Sequence, residues 1–226
     1  MTLAALLLPF ALLQAAEAPA PTPMTTTLPT RFAQCVALIE TNAERAYEEA
    51  MAWAADAQEL PAYRCAAMAN IALGRVEEGA RRLESLAMGA DAGLPAQRAE
   101  LFSQAGNAYL LAHAPARARS TFTQALTLMA SEREAQPDIL IDRARAYAME
   151  EDWRNAEEDL SRALDLRAND SLALRLRSSA RLHQRAFELA EADAQAAVRA
   201  DPASVDARLV LGHAREARRT GEIPEE

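Results

Sequence analysis

Residues 147–163, YAMEEDWRNAEEDLSRA, and residues 181–197, RLHQRAFELAEADAQAA, carry the same pattern of small and apolar side chains at an offset of 34. Both stretches lie within residues 137–202. The shared positions are filled by Ala156, Leu160 and Ala163 in the first stretch and by Ala190, Ala194 and Ala197 in the second. Spacings of three and four residues place these side chains on one face of a helix. A repeat of this period therefore predicts stacked units of two short helices each.

The pattern continues on both sides of this stretch. Towards the N-terminus, Ala118 matches Ala156 and Gly79 matches Ala118, with an insertion between residues 129 and 137 and with Gly79 in place of the expected Ala. We predict that residues 31–219 form about five helix pairs plus a C-terminal covering helix, and that residues 220–226 are an acidic tail. The polar outer side of the covering helix carries Arg208, Arg215, Arg218 and Arg219.

The composition agrees with a helical array and excludes one class of partner. Ala is the best helix former, and the 226 residues include only seven Gly. The formal net charge is −9, with ten Asp and Glu against five Arg in residues 137–170 and nine of each in residues 171–226. Phosphate binding requires cations gathered on one face, and no basic stripe is present. We therefore do not expect nucleic acid as a partner.

The N-terminus has the features of a secretion signal. Residues 3–13 are an unbroken apolar run of eleven, followed by small residues suited to cleavage. A membrane span needs about 20 apolar residues, so we predict a signal peptide at residues 1–16, a periplasmic protein and no stable membrane span after processing. No positive charge precedes the run. The alternative is a helix that is retained and packs on the first repeat, in which case the protein is a cytoplasmic scaffold.

Residues 17–30 are rich in Pro and Thr and have no apolar period, so we expect a disordered leader. Cys35 and Cys65 follow it. Each lies on the first helix of a predicted pair, and neighbouring first helices run side by side, so a disulfide is geometrically feasible. The alternative is that both are small buried apolar residues.

The repeat resembles the tetratricopeptide repeat family. Besides the period of 34, the residues that carry the resemblance are Ala105-Gly106 with Tyr109, Leu211-Gly212, the repeated Ala positions and Pro202 between pairs. The resemblance implies an all-α fold, a right-handed superhelical array of antiparallel helix pairs whose concave side is lined by first helices. Arg181 and Arg215 stand where the family has Tyr, and Asn70 does so in the second pair, so we expect looser packing there.

The concave face of this family binds extended peptides or a partner's helix, which makes its inward positions the candidate site. Of the pattern by which some members clamp a C-terminal carboxylate, only Asn107 is matched, so we do not expect that mode. Asp138, Asp142 and Arg145 instead suit a polar or basic segment, and the alternative is that they are merely solvated. The candidate partner-binding residues are Asn107, Asp138, Asp142, Arg145, Met149, Arg175, His183 and His213.

The sequence contains no catalytic or phosphate-binding motif. His183 and His213 lie on consecutive first helices, but two imidazoles without a third ligand make a poor metal site. We therefore predict a non-catalytic scaffold that binds a protein or peptide partner and uses neither metal nor cofactor. The alternative is a small-ligand binder or envelope enzyme with a site around Arg145, His183 and His213, which a closed pocket joining these residues would favour.

Overall fold

The computed structural model describes residues 30–89 and 93–224; the predicted signal peptide and all but one residue of the predicted leader lie outside these ranges. The described residues form helices and no strand. The helices are α1 (Arg31–Thr41), α2 (Ala43–Ala57), α3 (Leu60–Ala72), α4 (Val76–Met88), α5 (Pro95–Leu111), α6 (Pro115–Leu128), a short 3-10 helix (Arg133–Ala135), α7 (Gln136–Met149), α8 (Trp153–Leu166), α9 (Ser171–His183), α10 (Phe187–Ala200) and α11 (Val205–Thr220). No helix within the described ranges is long and apolar enough to cross a membrane.

The helices pack as five consecutive pairs, from α1 with α2 to α9 with α10, and α11 packs on both helices of the last pair. Each later first helix (α3, α5, α7, α9, α11) also packs on the second helix of the preceding pair. The predicted all-α array of antiparallel helix pairs is confirmed. A continuous core of Ala, Leu and Phe side chains runs through its centre.

Local sequence fixes where the helices begin and how each pair turns. The side chains that cap a helix N-terminus by accepting a backbone N–H belong to Thr30, Asn42, Asp152, Asp170 and Ser204. The turn inside each of pairs two to five contains one residue with a left-handed backbone, at equivalent places in the repeat: Gly74, His113, Glu151 and Arg185. His113 is exposed in the turn before α6, two residues before Pro115.

Glycine marks the closest approaches between helices. A Cβ at Gly79 would lie 2.5 Å from Ile71 Cγ1 and 2.7 Å from the carbonyl oxygen of Ala67, so α3 and α4 pack together only because Gly79 has no side chain. A Cβ at Gly106 would lie 2.6 Å from two ring carbons of Phe122. The departure of Gly79 from the Ala pattern therefore marks tight packing.

Ion pairs replace the aromatic contact at the two Arg that occupy Tyr positions. Arg181 Nε donates to Glu157 at 2.7 Å and Arg181 Nη1 donates to Asp193 at 2.8 Å. One repeat further, Arg215 Nε lies 3.4 Å from Glu191. The looser packing expected at Arg181 is not found, because its guanidinium is mostly buried between two carboxylates.

A second ion pair recurs with the period of 34. Arg143 donates two hydrogen bonds of 2.7 Å to Asp159, and Arg177 donates two of 2.8 Å to Asp193. Both carboxylates are buried. In each case the Arg belongs to a first helix and the Asp to the second helix of the same pair, so the bond fixes how the two helices cross.

A disulfide joins the first two pairs. Cys35 of α1 and Cys65 of α3 are bonded, and their Cα atoms are 6.4 Å apart. Cys65 is fully buried and Cys35 nearly so. The bond holds α1 against the rest of the array. At the other end, α11 exposes Arg208 at the repeat position where Leu174 is buried in α9, so its outer side is polar.

Candidate interaction site

Successive first helices present equivalent side chains on one surface, which we call the first-helix face. One row consists of Asn107, Arg145, Ser179 and His213, at the same repeat position in α5, α7, α9 and α11. A second row consists of Leu111, Met149 and His183 at the C-terminal ends of α5, α7 and α9. Leu111 is 65% exposed and Met149 is 42% exposed. The face therefore offers apolar and polar groups side by side.

Three of the candidate residues form one hydrogen-bonded cluster. Asn107 Nδ2 donates to Asp142 Oδ2 at 2.9 Å, and Arg145 Nη1 donates to Asp142 Oδ1 at 3.0 Å. The cluster links α5 to α7, and both carboxylate oxygens of Asp142 are engaged. The Arg145 side chain remains 49% exposed. The structure thus brings together Asn107, Asp142 and Arg145, which sequence reasoning proposed separately.

The other charged candidates are paired within the chain. Asp138 accepts a hydrogen bond of 2.5 Å from Arg167, which follows α8. Arg175 of α9 lies 3.3 Å from Asp206 of α11. Because each of these carboxylates has its own Arg, the face has little unbalanced negative charge. Of the polar or basic segment that the sequence indicated, this charge balance favours the polar kind.

His183 belongs to an aromatic stack. Its ring lies parallel to that of Trp153, with 3.8 Å between the ring centroids and 5° between the planes. Gln184 also donates to the backbone oxygen of Trp153 at 3.3 Å. His213 is half-buried on α11. Across the described residues, no three His, Cys, Asp or Glu side chains are placed to hold a metal ion.

A crevice of about 140 Å³ opens between α7, α8 and α9, beside Arg145. Its described lining is Ala144, Arg145, Ala148, Trp153, Ala156, Leu160, Leu176, Ser179 and Ala180. Apart from Arg145 and the Ser179 hydroxyl, these side chains are apolar. The lining includes neither His183 nor His213. The three residues of the small-ligand alternative therefore do not share this crevice.

The ion pairs behind the crevice keep α8, α9 and α10 together. The hydrogen bond to Asp193 raises the pKa of Arg177, with burial opposing it and the charge of Asp193 adding to it. Burial by itself raises the pKa of the Glu157 carboxyl. Hydrogen bonds from Arg181 and Gln184, together with the positive charges of Arg181 and Arg177, outweigh it and lower that pKa. Both shifts favour the charged forms of Arg177 and Glu157, so the wall of the crevice rests on a charged and hydrogen-bonded scaffold.

Solved structures show the same arrangement of helix pairs. A repeat protein from Parabacteroides merdae matches 84% of this chain and 73% of its own, with a TM-score of 0.61 and 13% identity. The chain has the tetratricopeptide repeat fold. A thermophilic protein of this fold from Thermus thermophilus matches 81% of this chain and 96% of its own, with a TM-score of 0.55 and 18% identity. The resemblance seen in the sequence is confirmed at the level of the fold.

A third structure of the tetratricopeptide repeat fold contains a ligand. The first such domain of Spaghetti (RPAP3), solved bound to an HSP90 peptide, matches 56% of this chain and 98% of its own, with a TM-score of 0.51 and 23% identity. No family model and no curated protein matches the sequence.

Sequence reasoning missed two residues of the site. Leu111 occupies the same place in its repeat as Met149 does in the next, and Trp153 is related in the same way to Phe187. The period that identified the helix pairs was enough to find Leu111. The period also aligns Trp153 with Phe187, but it does not predict the contact with His183, which depends on how α8 and α9 meet.

Proposed function

We propose that this protein is a non-catalytic interaction module that binds an extended peptide or a helix of a partner protein along the first-helix face. The observation that carries the proposal is the pair of aligned rows that successive first helices contribute, one polar and the other apolar at Leu111 and Met149. The bound HSP90 peptide in the Spaghetti (RPAP3) domain supports it, because that domain has the same fold and is solved with a peptide.

The chemistry of the face fits a peptide better than a compact solute. Exposed Leu111 and Met149 give apolar surface that a partner can cover. The amide of Asn107 and the hydroxyl of Ser179 can exchange hydrogen bonds with a peptide backbone, whose N–H and C=O groups must stay satisfied on binding. Both kinds of group recur along the array, and so they suit a long, narrow ligand.

The paired charges indicate what sort of segment is accommodated. Asp138, Asp142 and Asp206 each contact an Arg of the same chain. Exposed ion pairs of this kind contribute about 0–1 kcal/mol each, so they set local charge balance more than stability. A strongly basic partner would have to displace these Arg side chains. We therefore favour a partner segment of modest net charge with apolar side chains.

The test is capture of the partner from a cell extract by photo-crosslinking of the full chain. Met149→Glu places a charge on the first-helix face. Leu189→Glu places the same charge at a 53% exposed Leu of α10, a second helix. We expect Met149→Glu to lose the crosslinked partner and Leu189→Glu to retain it. Equal capture by both variants would refute the proposed binding face.

We also propose export to the periplasm, with residues 1–16 removed as a signal peptide. The apolar run at residues 3–13 and the bond between Cys35 and Cys65 support it, since disulfides persist mainly in oxidising compartments. Cell fractionation followed by intact mass measurement without reductant tests the proposal. A cytoplasmic chain that keeps residue 1 and has two free thiols would contradict it and favour a cytoplasmic scaffold.

A further inference from the structure

The crevice between α7, α8 and α9 has the size and lining of a socket for one apolar group. Its volume of about 140 Å³ is close to that of an apolar cavity of ~150 Å³ that binds benzene. Ala148 and Leu176 contribute aliphatic surface, and Trp153 contributes an aromatic side chain. A phenyl or isobutyl group therefore matches it in both size and polarity.

Arg145 supplies the one charged group of this lining. A guanidinium has five N–H donors, and among the described residues Arg145 has one acceptor, Asp142, at 3.0 Å. Both oxygens of Asp142 are already engaged, because the other one accepts from Asn107. The remaining donors of Arg145 are thus available at the edge of the crevice, and a carboxylate is the acceptor that fits a guanidinium best.

The aromatic part of the lining is held in place from outside the crevice. His183 stacks on the Trp153 ring, and Gln184 donates to the Trp153 carbonyl oxygen. Behind them, Gln184 and Arg181 both donate to Glu157 at 2.7 Å. His183 and Gln184 are therefore positioning residues for Trp153. Because this wall is already ordered, little conformational entropy is lost when a ligand binds against it.

We propose that this crevice is the anchor pocket of the first-helix face. It takes one Leu, Met or Phe side chain of the partner segment, and a carboxylate of an adjacent Asp or Glu binds Arg145. The apolar lining selects the apolar side chain, and the positive charge of Arg145 selects the acidic one. The inference rests on the proposed function, because the occupant is part of the partner that the face binds.

The test uses two small probes, the N-acetylated and C-amidated dipeptides Leu-Asp and Leu-Asn, which share the isobutyl group and differ only in the side-chain carboxylate. The readout is the pair of indole N–H signals in a proton–nitrogen NMR spectrum, since the chain has two tryptophans. Trp53, whose indole donates to Glu59, is the internal reference. We expect both probes to shift the Trp153 signal alone, saturably in the millimolar range, with the carboxylate probe binding about tenfold more tightly, as one charge-assisted contact provides.

Variants separate the two parts of the proposal. Arg145→Gln is expected to bring the affinity of the Leu-Asp probe down to that of the Leu-Asn probe. Ser179→Leu fills the crevice and should abolish both shifts, whereas Ser120→Leu, an equal change at an exposed position of α6, should leave them intact. Ala148→Leu fills the crevice from α7. It is used in place of Ser179→Leu if circular dichroism shows that the Ser179→Leu variant has lost helix.

Three results would overturn the proposal: a Trp153 signal that neither probe moves, shifts that persist when the crevice is filled, or equal binding of both probes to the unsubstituted chain. These outcomes are distinguishable from failure of the proposed function. If Met149→Glu loses the partner and neither probe shifts the Trp153 signal, the anchor pocket is refuted and the binding face stands. If the probes bind but Met149→Glu captures the partner undiminished, the proposed binding face is refuted and the crevice still binds the apolar and acidic pair.

Discussion

Replacing Gly106 or Gly212 with Ala adds the same methyl group at the same repeat position of α5 and α11, in two different surroundings. At Gly106 the new Cβ would lie 2.6 Å from two ring carbons of Phe122 and 2.9 Å from a third. At Gly212 no described atom outside the local helix lies within 4 Å of it. The first site is a contact between paired helices, and the second is open.

The two changes are expected to alter the free energy of unfolding in opposite directions. Ala favours a helix over Gly by about 0.8–1 kcal/mol at both sites. At Gly106 this gain is outweighed by overpacking, which typically costs about 1–3 kcal/mol, and the Phe122 ring is fully buried and has no free space to move into. We expect Gly106→Ala to destabilise the protein by up to about 2 kcal/mol and Gly212→Ala to stabilise α11 by about 0.8–1 kcal/mol.

Urea unfolding followed by far-UV circular dichroism measures the first effect, and amide hydrogen exchange in α11 measures the second. Exchange is needed because repeat arrays unfold in parts, so a change at an end helix need not move the global transition. A neutral or stabilising Gly106→Ala would show that α5 and α6 do not approach as described. Faster exchange in the α11 of Gly212→Ala would show that its outer side is covered by other atoms.

Three further predictions concern bonds between helices. Replacing both Cys35 and Cys65 with Ala should lower the urea-unfolding free energy by about 3–4 kcal/mol, as expected for opening the loop that the disulfide closes, and added reductant should then have no further effect. Asp193→Asn leaves two Arg poorly paired and should cost about 3 kcal/mol, against under about 1 kcal/mol for the exposed Asp206→Asn; equal losses would contradict this. Burial raises the pKa of Glu157, but hydrogen bonds and the charges of neighbouring Arg side chains outweigh it, so the pKa is lowered on folding. The contribution of Glu157 is therefore present above about pH 4.5 and lost as the pH falls through the folded value, so the stability difference from Glu157→Gln should shrink in acid-titrated urea unfolding.

The fold could be predicted because the residues that repeat are the ones that pack. Ala156 and Ala190 are buried at the same crossing in successive pairs, and the period of 34 that relates them is visible in the sequence. The same period aligns Arg145 with Ser179, which is why the polar row of the first-helix face was accessible as well. The period does not show which residue each side chain contacts on the neighbouring helices.

Contacts between pairs depend on links that break the period. The link between α6 and α7 is longer than the link between α8 and α9, so equivalent side chains meet different neighbours. Asp138 and Asp142 look alike in the sequence, yet one contacts Arg167 beyond α8 and the other contacts Asn107 on α5. Their roles follow from distances between helices, which the sequence pattern leaves open.

The departure from the Tyr pattern shows how an array changes chemistry and keeps its geometry. At one junction Arg119 of α6 lies over the ring of Tyr147, with 5.6 Å between its guanidinium carbon and the ring centroid. At the next junction the equivalent residues are Glu157 of α8 and Arg181, which form an ion pair of 2.7 Å. A cation–π contact and a partly buried ion pair both hold a second helix against the following first helix. Both positions change together, so Glu157 compensates for the departure from the pattern at Arg181. When Arg181 is considered by itself, this change of partner looks like a loss of packing.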